Sequence, residues 1–554
     1  MNGPNGADAG NARWSDPRIG VSNAELERLM RREEMLRKVH ERAAAGTPWD
    51  IAVIGGGATG VGVAVDAAAR GFDVVLVEAH DFGKGTSSRS TKLVHGGVRY
   101  LEQGNIPLVM SALKERGLMR QNAPHLVHDL AFVVPNYSWW EAPFYGIGLK
   151  LYDLLAGKYG FGASKLLSKD ETLERLPALE PEELRGGVVY YDGQFDDSRL
   201  LVHLAMTAAD HGATLLNYCP ATKLLRDDDG YVNGLTALDG ETGEELMFAA
   251  RVVVNATGVF TDDIRRMADA KVEPMMVTSQ GIHLVFDRSF LKGDTALMVP
   301  RTSDGRVLFV IPWHGHAVAG TTDTPVDAPS LEPKALDEEI EFILETAGRY
   351  LNRPPTRTDV LAVYVGLRPL VKSDGEGKTS SLSRDHVIHV DTSGLLTITG
   401  GKWTTYRHMA EDCVDHAITL GRLRDEECTT KNLRIHGYLN SADDEGEENP
   451  LGVYGTDADG IRKLIAEQPE LSERLHRDLS YVAAEVVWAA RIEMARGVED
   501  VLARRTRALF LNARAAVAMA EPVARLLAEE LGRDQVWASK QVAEFRELAK
   551  QYMV

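Results

Sequence analysis

Cysteine is scarce, with Cys219, Cys413 and Cys428 the only three in 554 residues. They show neither metal-ligand spacing nor a paired framework, which excludes a disulfide scaffold or a cysteine-built metal centre and points to a reducing compartment. Long apolar runs are missing too. No stretch approaches the roughly 18 residues that suggest a membrane span, and residues 1–16 are polar and Gly-rich rather than signal-like. Positive charge is in deficit: 62 Lys and Arg stand against 81 Asp and Glu, for a net charge of −19. That balance argues against a nucleic-acid partner and requires any anionic ligand to meet a local basic cluster. These absences predict a cytoplasmic protein, or one bound to the cytoplasmic face of a membrane. What the chain does have is 44% apolar residues, enough to bury a large core and to form more than one domain.

Four regions follow from the patterning. Residues 1–47 read as an N-terminal arm in which Ser22–Glu25 caps one helix running to about Ala45, with Leu26, Leu29, Met30, Leu36 and Val39 on one stripe. Residues 48–437 alternate strand-like runs with helical patterns and glycine turns, as in α/β organisation. Residues 438–452 hold an acidic run, Asp443–Glu448, closed by Pro450, and read as a solvated linker. Residues 453–554 are almost wholly helical in pattern, notably over Tyr481–Ala495 and Asp534–Tyr552, with Gly497 and Gly532 as punctuation.

The most specific local signal begins at Ile51–Ile54, an apolar strand run followed by Gly55-Gly56-Gly57-Ala58-Thr59-Gly60 and a helical stretch to Arg70. Gly55 permits a tight turn, Gly57 lets a pyrophosphate approach the backbone, and Gly60 lets helix and strand pack closely; Ala58 and Thr59 open the helix whose N–H groups face the phosphates. A second strand, Asp73–Val77, ends in Glu78, whose carboxylate suits the ribose hydroxyls of an adenosine without a 2′-phosphate. NAD and FAD share this fingerprint. Three later segments favour FAD: the hydroxyl-rich Thr86-Ser87-Ser88 with Lys92 and Leu93 beyond it, the strand-to-turn Asn255-Ala256-Thr257-Gly258, and Gly400-Gly401-Lys402-Trp403-Thr404, where a helix start can stabilise charge on a reduced flavin.

These residues, together with Lys92–Leu101, Asp196–Leu200, Phe309–Trp313, Gly320–Asp323, Gly366–Leu370, Ser383–His386, Gly400–Arg407 and Asp500–Arg507, resemble the FAD-dependent glycerol-3-phosphate dehydrogenases over about Trp49–Arg407 and into the C-terminal region. The arm before Trp49 is longer than that family's usual lead-in. The resemblance implies an FAD-binding Rossmann-like domain interleaved with an antiparallel-sheet substrate domain, as in D-amino-acid oxidase, plus a C-terminal α-helical domain. It implies non-covalent FAD, oxidation of sn-glycerol 3-phosphate to dihydroxyacetone phosphate, a quinone as electron acceptor at the membrane, and no metal; it admits a homodimer.

Oxidising a secondary alcohol needs a hydride acceptor and a group to take the hydroxyl proton, and a phosphate substrate needs a cationic clamp. The resemblance makes His95, Arg99 and Arg368 catalytic, and extends substrate binding over Arg99, Tyr100, Arg368, Arg384, Lys402 and His283. Guanidinium forks match phosphate oxygens bidentately, and histidine is the residue type suited to taking a proton near neutral pH. Asp323 and Asp385 are the acids that would instead claim these cations as structural pairs. Two other readings stay open: a flavin oxidase producing hydrogen peroxide from a glycerol phosphate or an amine, and a flavin-bearing binding or RNA-modification scaffold.

Overall fold

The computed structural model describes residues 30–97, 101, 105–138, 141–302, 305–372, 385–440 and 449–554. Two sheets are built from alternating stretches of chain. The first runs in the order His386–Val390, Leu396–Gly400, Glu245–Asn255, Trp49–Ile54, Val74–Val77, Thr214–Leu216. It is parallel from Leu396–Gly400 onward. Its central strands are apolar at nearly every position because both faces are covered, by the helices Ala58–Ala69, Asp197–Asp210 and Tyr406–Gly421 among others.

The second sheet takes its strands from the intervening segments: Leu93–Val94, Val127–Asn136, Lys165–Ser168, Gly186–Phe195, Met276–Asp287, Thr295–Val299, Leu308–Trp313, His316–Gly320, Thr324–Val326 and Val360–Val371. The chain therefore crosses between the sheets several times, which is the interleaving expected of the fold class. The sheet is antiparallel except where Thr295–Val299 lies parallel to Val127–Asn136. One of its faces packs on the helix Asp337–Gly348. The other shares a core with the C-terminal helices Ala513–Glu530 and Gln535–Ala549, so the helical region is fused to the sheet through common apolar burial.

Two local expectations are corrected. The Ser22–Glu25 cap lies outside the described residues, and the described helix spans Arg32–Ala45, with Arg31 extended at φ −82°, ψ 127°. No continuous helix reaches Ala45 through that break, which turns Met30 into the core and aims Arg32 at Asp239 and the Asn217 carbonyl. The helix expected over Tyr481–Ala495 is Ala483–Arg491. Its end is drawn off because the Glu493 carbonyl accepts from Arg505 and its carboxylate pairs with Arg199, leaving Met494 at φ 54°.

The C-terminal region also reaches the first sheet through charge. Asp81, in the loop after Glu78, accepts from Arg504 Nε at 2.5 Å and from Arg505 at 2.7 and 2.9 Å, all three side chains being buried. Burial alone would raise the Asp81 carboxyl, but the two guanidiniums hold it at about 2. Glu485 is the opposite case: burial lifts it to about 7, against hydrogen bonds from the Val482 N–H and Tyr454 hydroxyl. A carboxyl with a raised folded pKa keeps its proton where the unfolded chain has lost it, so its contribution to stability is present below about 4.5 and falls as pH rises towards 7. Glu485→Gln is expected to remove that slope. Between pH 5 and 8 the variant should gain about 3 kcal/mol relative to the parent in urea unfolding; parallel profiles would show that Glu485 titrates normally.

Candidate active site

The glycine turn does what its residue types require. Gly55 sits at φ 113° where a Cβ would lie 2.7 Å from the Ala256 carbonyl oxygen, and a Cβ on Gly60 would lie 1.9 Å from the Gly55 oxygen. Both positions exclude side chains for internal reasons. Gly57 differs: its φ of −83° suits any residue, and a Cβ would meet only the Ser87 Oγ, at 3.2 Å. Space beside Gly57 is thus reserved for something other than the protein's own backbone. Ala58 and Thr59 form the first helical turn, and Ser87 Oγ accepts from the Ala58 N–H at 2.9 Å.

Glu78 closes the second strand with both carboxylate oxygens oriented by backbone, Oε2 accepting from the Gly56 N–H at 2.6 Å and Oε1 from the His80 N–H at 2.8 Å. Burial raises its pKa, and these two N–H groups oppose the rise. A carboxylate oxygen has a second lone pair, so ribose hydroxyls can still be accepted. On the strand flanking Trp49–Ile54 from the other side, Asn255 Oδ1 accepts from both the N–H and the hydroxyl of Thr257, shaping the Ala256-Thr257-Gly258 turn. Gly258 has φ 58°, and a Cβ there would face nothing within 4 Å. The backbone-oriented Glu78 carboxylate, the helix start at Ala58 and a small-residue turn bordering open space fit an FAD.

The remaining cofactor segments converge from far apart in the chain. Trp403 Nε1 donates to the Ser87 carbonyl at 2.8 Å across 316 residues, and the Trp403 ring lies edge-on to Phe195. Gly400 and Gly401 both have positive φ, and a Cβ on Gly401 would lie 2.4 Å from Met409 Sδ. Lys402, extended, leads into the turn Trp403–Thr405. Thr404 Oγ1 accepts from the His95 N–H at 3.4 Å. Thr86 donates to the Leu367 carbonyl and Ser88 to the Gly83 carbonyl, fastening the hydroxyl-rich turn between the two sheets.

Lys92 and Leu93, expected at the cofactor, have protein partners for their side chains. The Lys92 ammonium is fully buried, donating to both oxygens of Asp197 at 2.7 and 2.8 Å and to the Ser88 carbonyl. It lies about 5 Å from the rings of Trp313 and Tyr364. Its N–H bonds Ser90 and its carbonyl bonds Phe195, so Lys92 is a strut between elements. Leu93 is paired to Gln194 in the second sheet, with its side chain in the core under the C-terminal helices.

Of the substrate residues, Arg99, Tyr100 and Arg384 lie outside the described residues. Arg368 and His283 stand on adjacent strands, Val360–Val371 and Met276–Asp287. Arg368 donates to the carbonyls of Gln280 and Thr322 and to Asp323 Oδ1 at 3.2 Å, and its side chain stays 22% exposed. Gly281 is small so that the guanidinium can pass: a Cβ there would lie 2.4 Å from it. His283 Nε2 is 2.9 Å from Thr91 Oγ1 and its ring stacks on Tyr364. Burial, then the charges of Lys92 and Arg368, drive its pKa well below the ordinary histidine value, so the ring is neutral at physiological pH. Thr91, Tyr364 and Asp197 escaped the sequence reading, and Asp323 entered it only as a structural alternative. Thr91, Asp197 and Asp323 sat inside noted strings, Asp197 opening the helix Asp197–Asp210; Tyr364 comes from a strand with no local signal to single it out.

Known proteins match this arrangement. A family model for FAD-dependent oxidoreductases matches residues 50–407, and one for the C-terminal domain of alpha-glycerophosphate oxidase matches residues 396–538. A mitochondrial glycerol-3-phosphate dehydrogenase of Arabidopsis thaliana is 43% identical over 528 residues, covering 88% of this chain and 84% of its own. Its counterpart in Homo sapiens is 40% identical over 536 residues, covering 91% and 73%. The solved structure of the glycerol-3-phosphate dehydrogenase of Bacillus halodurans complexed with FAD superposes with a TM-score of 0.76 at 30% identity, over 95% of this chain and 98% of that one.

Proposed function

This chain belongs to the FAD-dependent glycerol-3-phosphate dehydrogenases, and from that premise we propose how its residues divide the work. It is an FAD-dependent oxidoreductase of glycerol 3-phosphate. A bound FAD would supply the hydride acceptor for oxidation of the substrate at C2 to dihydroxyacetone phosphate. Gly55–Gly60, Glu78, Thr86–Ser88, Ala256–Gly258 and Gly401–Thr404 hold that cofactor. Arg368, with Arg99, Arg384 and Lys402, takes the phosphate; Asp323 keeps the Arg368 guanidinium in register without removing it from solvent contact. His95 receives the hydroxyl proton. His283, neutral and held by Thr91, orients the substrate. Arm 1–47, interleaved body 48–437, linker 438–452 and helical unit 453–554 form the architecture of the same proposal.

The observation that carries this reading is the convergence of Ser87, Trp403, Thr404 and His95 on one place, next to the strands that carry Arg368 and His283. The test is anaerobic. Mixing the yellow protein with glycerol 3-phosphate is expected to bleach the flavin within one turnover, with stoichiometric dihydroxyacetone phosphate, while glycerol bleaches it at least a hundredfold more slowly. Equal bleaching by both would remove the phosphate clamp from the proposal, and no bleaching by either would point to the binding-scaffold reading. For the second half-reaction we propose a quinone at the cytoplasmic face of a membrane. Turnover should be faster with a quinone or dye than in air; equal rates with stoichiometric hydrogen peroxide would make the chain an oxidase.

A further inference from the structure

The stretch from Thr86 to Lys92 touches both halves of the site. At one end, Ser87 Oγ accepts from the Ala58 N–H that opens the helix Ala58–Ala69, and the Ser87 carbonyl accepts from Trp403 Nε1. At the other, Thr91 Oγ1 lies 2.9 Å from His283 Nε2. The His283 ring is confined in plane as well: Tyr364 stacks on it with centroids 4.8 Å apart, and a Cβ on Gly320 would lie 2.2 Å from its Cδ2. Its other nitrogen, Nδ1, is buried and has no hydrogen-bond partner among the described residues. A buried nitrogen left so is costly unless a ligand supplies the partner. With Arg368 on the adjacent strand, the substrate hydroxyl is the group that would reach Nδ1 once Nε2 is held.

A buried ion pair shapes this stretch. Lys92 donates to both oxygens of Asp197 and to the Ser88 carbonyl, so all three ammonium protons are used. Asp197 also accepts from the Ser90 N–H at 3.1 Å and the Ser90 hydroxyl at 2.7 Å, and Ser90 Oγ accepts from the Lys92 N–H at 3.0 Å. Tyr364, the ring that stacks on His283, donates its hydroxyl to the Ser90 carbonyl at 3.2 Å. Thr91 is thus bracketed: the residue before it and the residue after it are both fastened to Asp197. The bracket holds Lys92 at φ 63°, a left-handed backbone that a side chain disfavours and that persists only where its surroundings impose it. A buried ion pair adds little net stability over apolar residues of the same volume. Its bonds are directional, however, and here the direction they set is that of Thr91.

We propose that Lys92 and Asp197 are positioning residues for the oxidation: by fixing Ser90 and Lys92 they hold Thr91 Oγ1 on His283 Nε2 and so aim Nδ1 at the substrate hydroxyl, a role that rests on the orienting function given to His283 above. Both act through Thr91 and His283. The charge of Lys92 bears on the same ring, since its ammonium lies 5.0 Å from the centre of the Tyr364 ring on which His283 stacks. Among the described residues, the charged and titratable groups about His283 are Lys92 with Asp197, Arg368 with Asp323, and Tyr364. Burial first, and then the two cations, keep the imidazole neutral, so that Nδ1 retains a lone pair for the substrate.

The test is anaerobic flavin reduction in the FAD-loaded full chain by saturating glycerol 3-phosphate, with rates counted per bound flavin. Lys92→Met, close to lysine in volume, should slow reduction roughly tenfold or more, because a small displacement of an orienting group suffices for that. The half-saturating concentration should stay within about threefold, the phosphate clamp being intact. The acid limb of the rate should move up by about one pH unit, since losing the cation and freeing the Asp197 anion both favour a charged His283. Thr91→Val should slow reduction to a similar degree, and the double variant should be no slower than either single one, as both act on one bond. Adding Asp197→Asn to Lys92→Met should recover stability without recovering the rate. A Lys92→Met protein that loses stability and flavin content but keeps its rate per flavin and its pH profile overturns the proposal and leaves the pair a strut. Losses that add in the double variant overturn it too. Should Lys92→Met not accumulate, Ser90→Ala breaks two of these bonds with both charges in place; a loss of about threefold upholds the proposal and a parental rate overturns it. His283→Ala separates the two readings: a full rate there sinks the orienting role and this one with it, whereas a slow His283→Ala beside a full-rate Lys92→Met overturns this one alone.

Discussion

Gly57→Val should give a folded, colourless protein with no activity. The position tolerates a side chain as far as the chain itself is concerned: its backbone is extended rather than left-handed, and the nearest atom to an added Cβ is a serine hydroxyl at 3.2 Å. What the branched side chain would occupy is the approach of the pyrophosphate to the helix N-terminus. Gly60→Ala should fail in a different way, because its Cβ would lie 1.9 Å from the Gly55 oxygen and strand and helix would have to part; little soluble protein is expected. The comparison must be made between cofactor-free forms, since a ligand at a thousandfold its dissociation constant adds about 4 kcal/mol to apparent stability. Apo Gly57→Val should then unfold with apo parent. Normal flavin content in Gly57→Val would remove the pyrophosphate from this turn.

Arg368→Ala should lower kcat/KM for glycerol 3-phosphate by a hundredfold or more with FAD retained. Truncating one partner of a buried or half-buried charge pair costs about 3–5 kcal/mol, and here two losses act in the same direction: the phosphate loses its cation, and Asp323 turns from a support into a nearby uncompensated anion. Because phosphate binding also holds C2 in position, kcat should fall along with the rise in KM. The advantage over glycerol should narrow, which a purely structural arginine would not produce. If Arg368 serves only the strand junction, stability and flavin content will drop together while discrimination stays intact. Arg368→Lys, keeping the charge without the fork, should recover part of the loss.

The sequence alone was sufficient for the fingerprint Gly55–Gly60, the acid Glu78 and the turn Ala256–Gly258, because each glycine's task and each strand-to-turn step is completed within a few residues of itself. The family-like strings carried the cofactor, substrate and interleaved fold by resemblance, and the matches with known proteins agree. Local pattern also misled where a contact from elsewhere intervened: a periodic run to Ala495 could not register that Arg505 and Arg199 would draw Glu493 out of the helix.

What only the tertiary structure decided are the partners of charged and amphipathic residues. Lys92 looked like a cofactor ligand beside three hydroxyls, yet its ammonium ends on Asp197, 105 positions away, since a buried cation must find a buried anion and sequence spacing does not say which. Arg368 could have been clamp or strut; the structure pairs it with Asp323 and leaves a fifth of its side chain exposed, an arrangement compatible with the proposed clamp. Helix Glu141–Ala156 has apolar residues on two sides, so its periodicity could not tell the stripe facing the protein from the one facing outward. Packing against Val109 and Leu113 made that choice, because hydrophobic burial is non-directional and is assigned to a face only when a neighbouring element arrives.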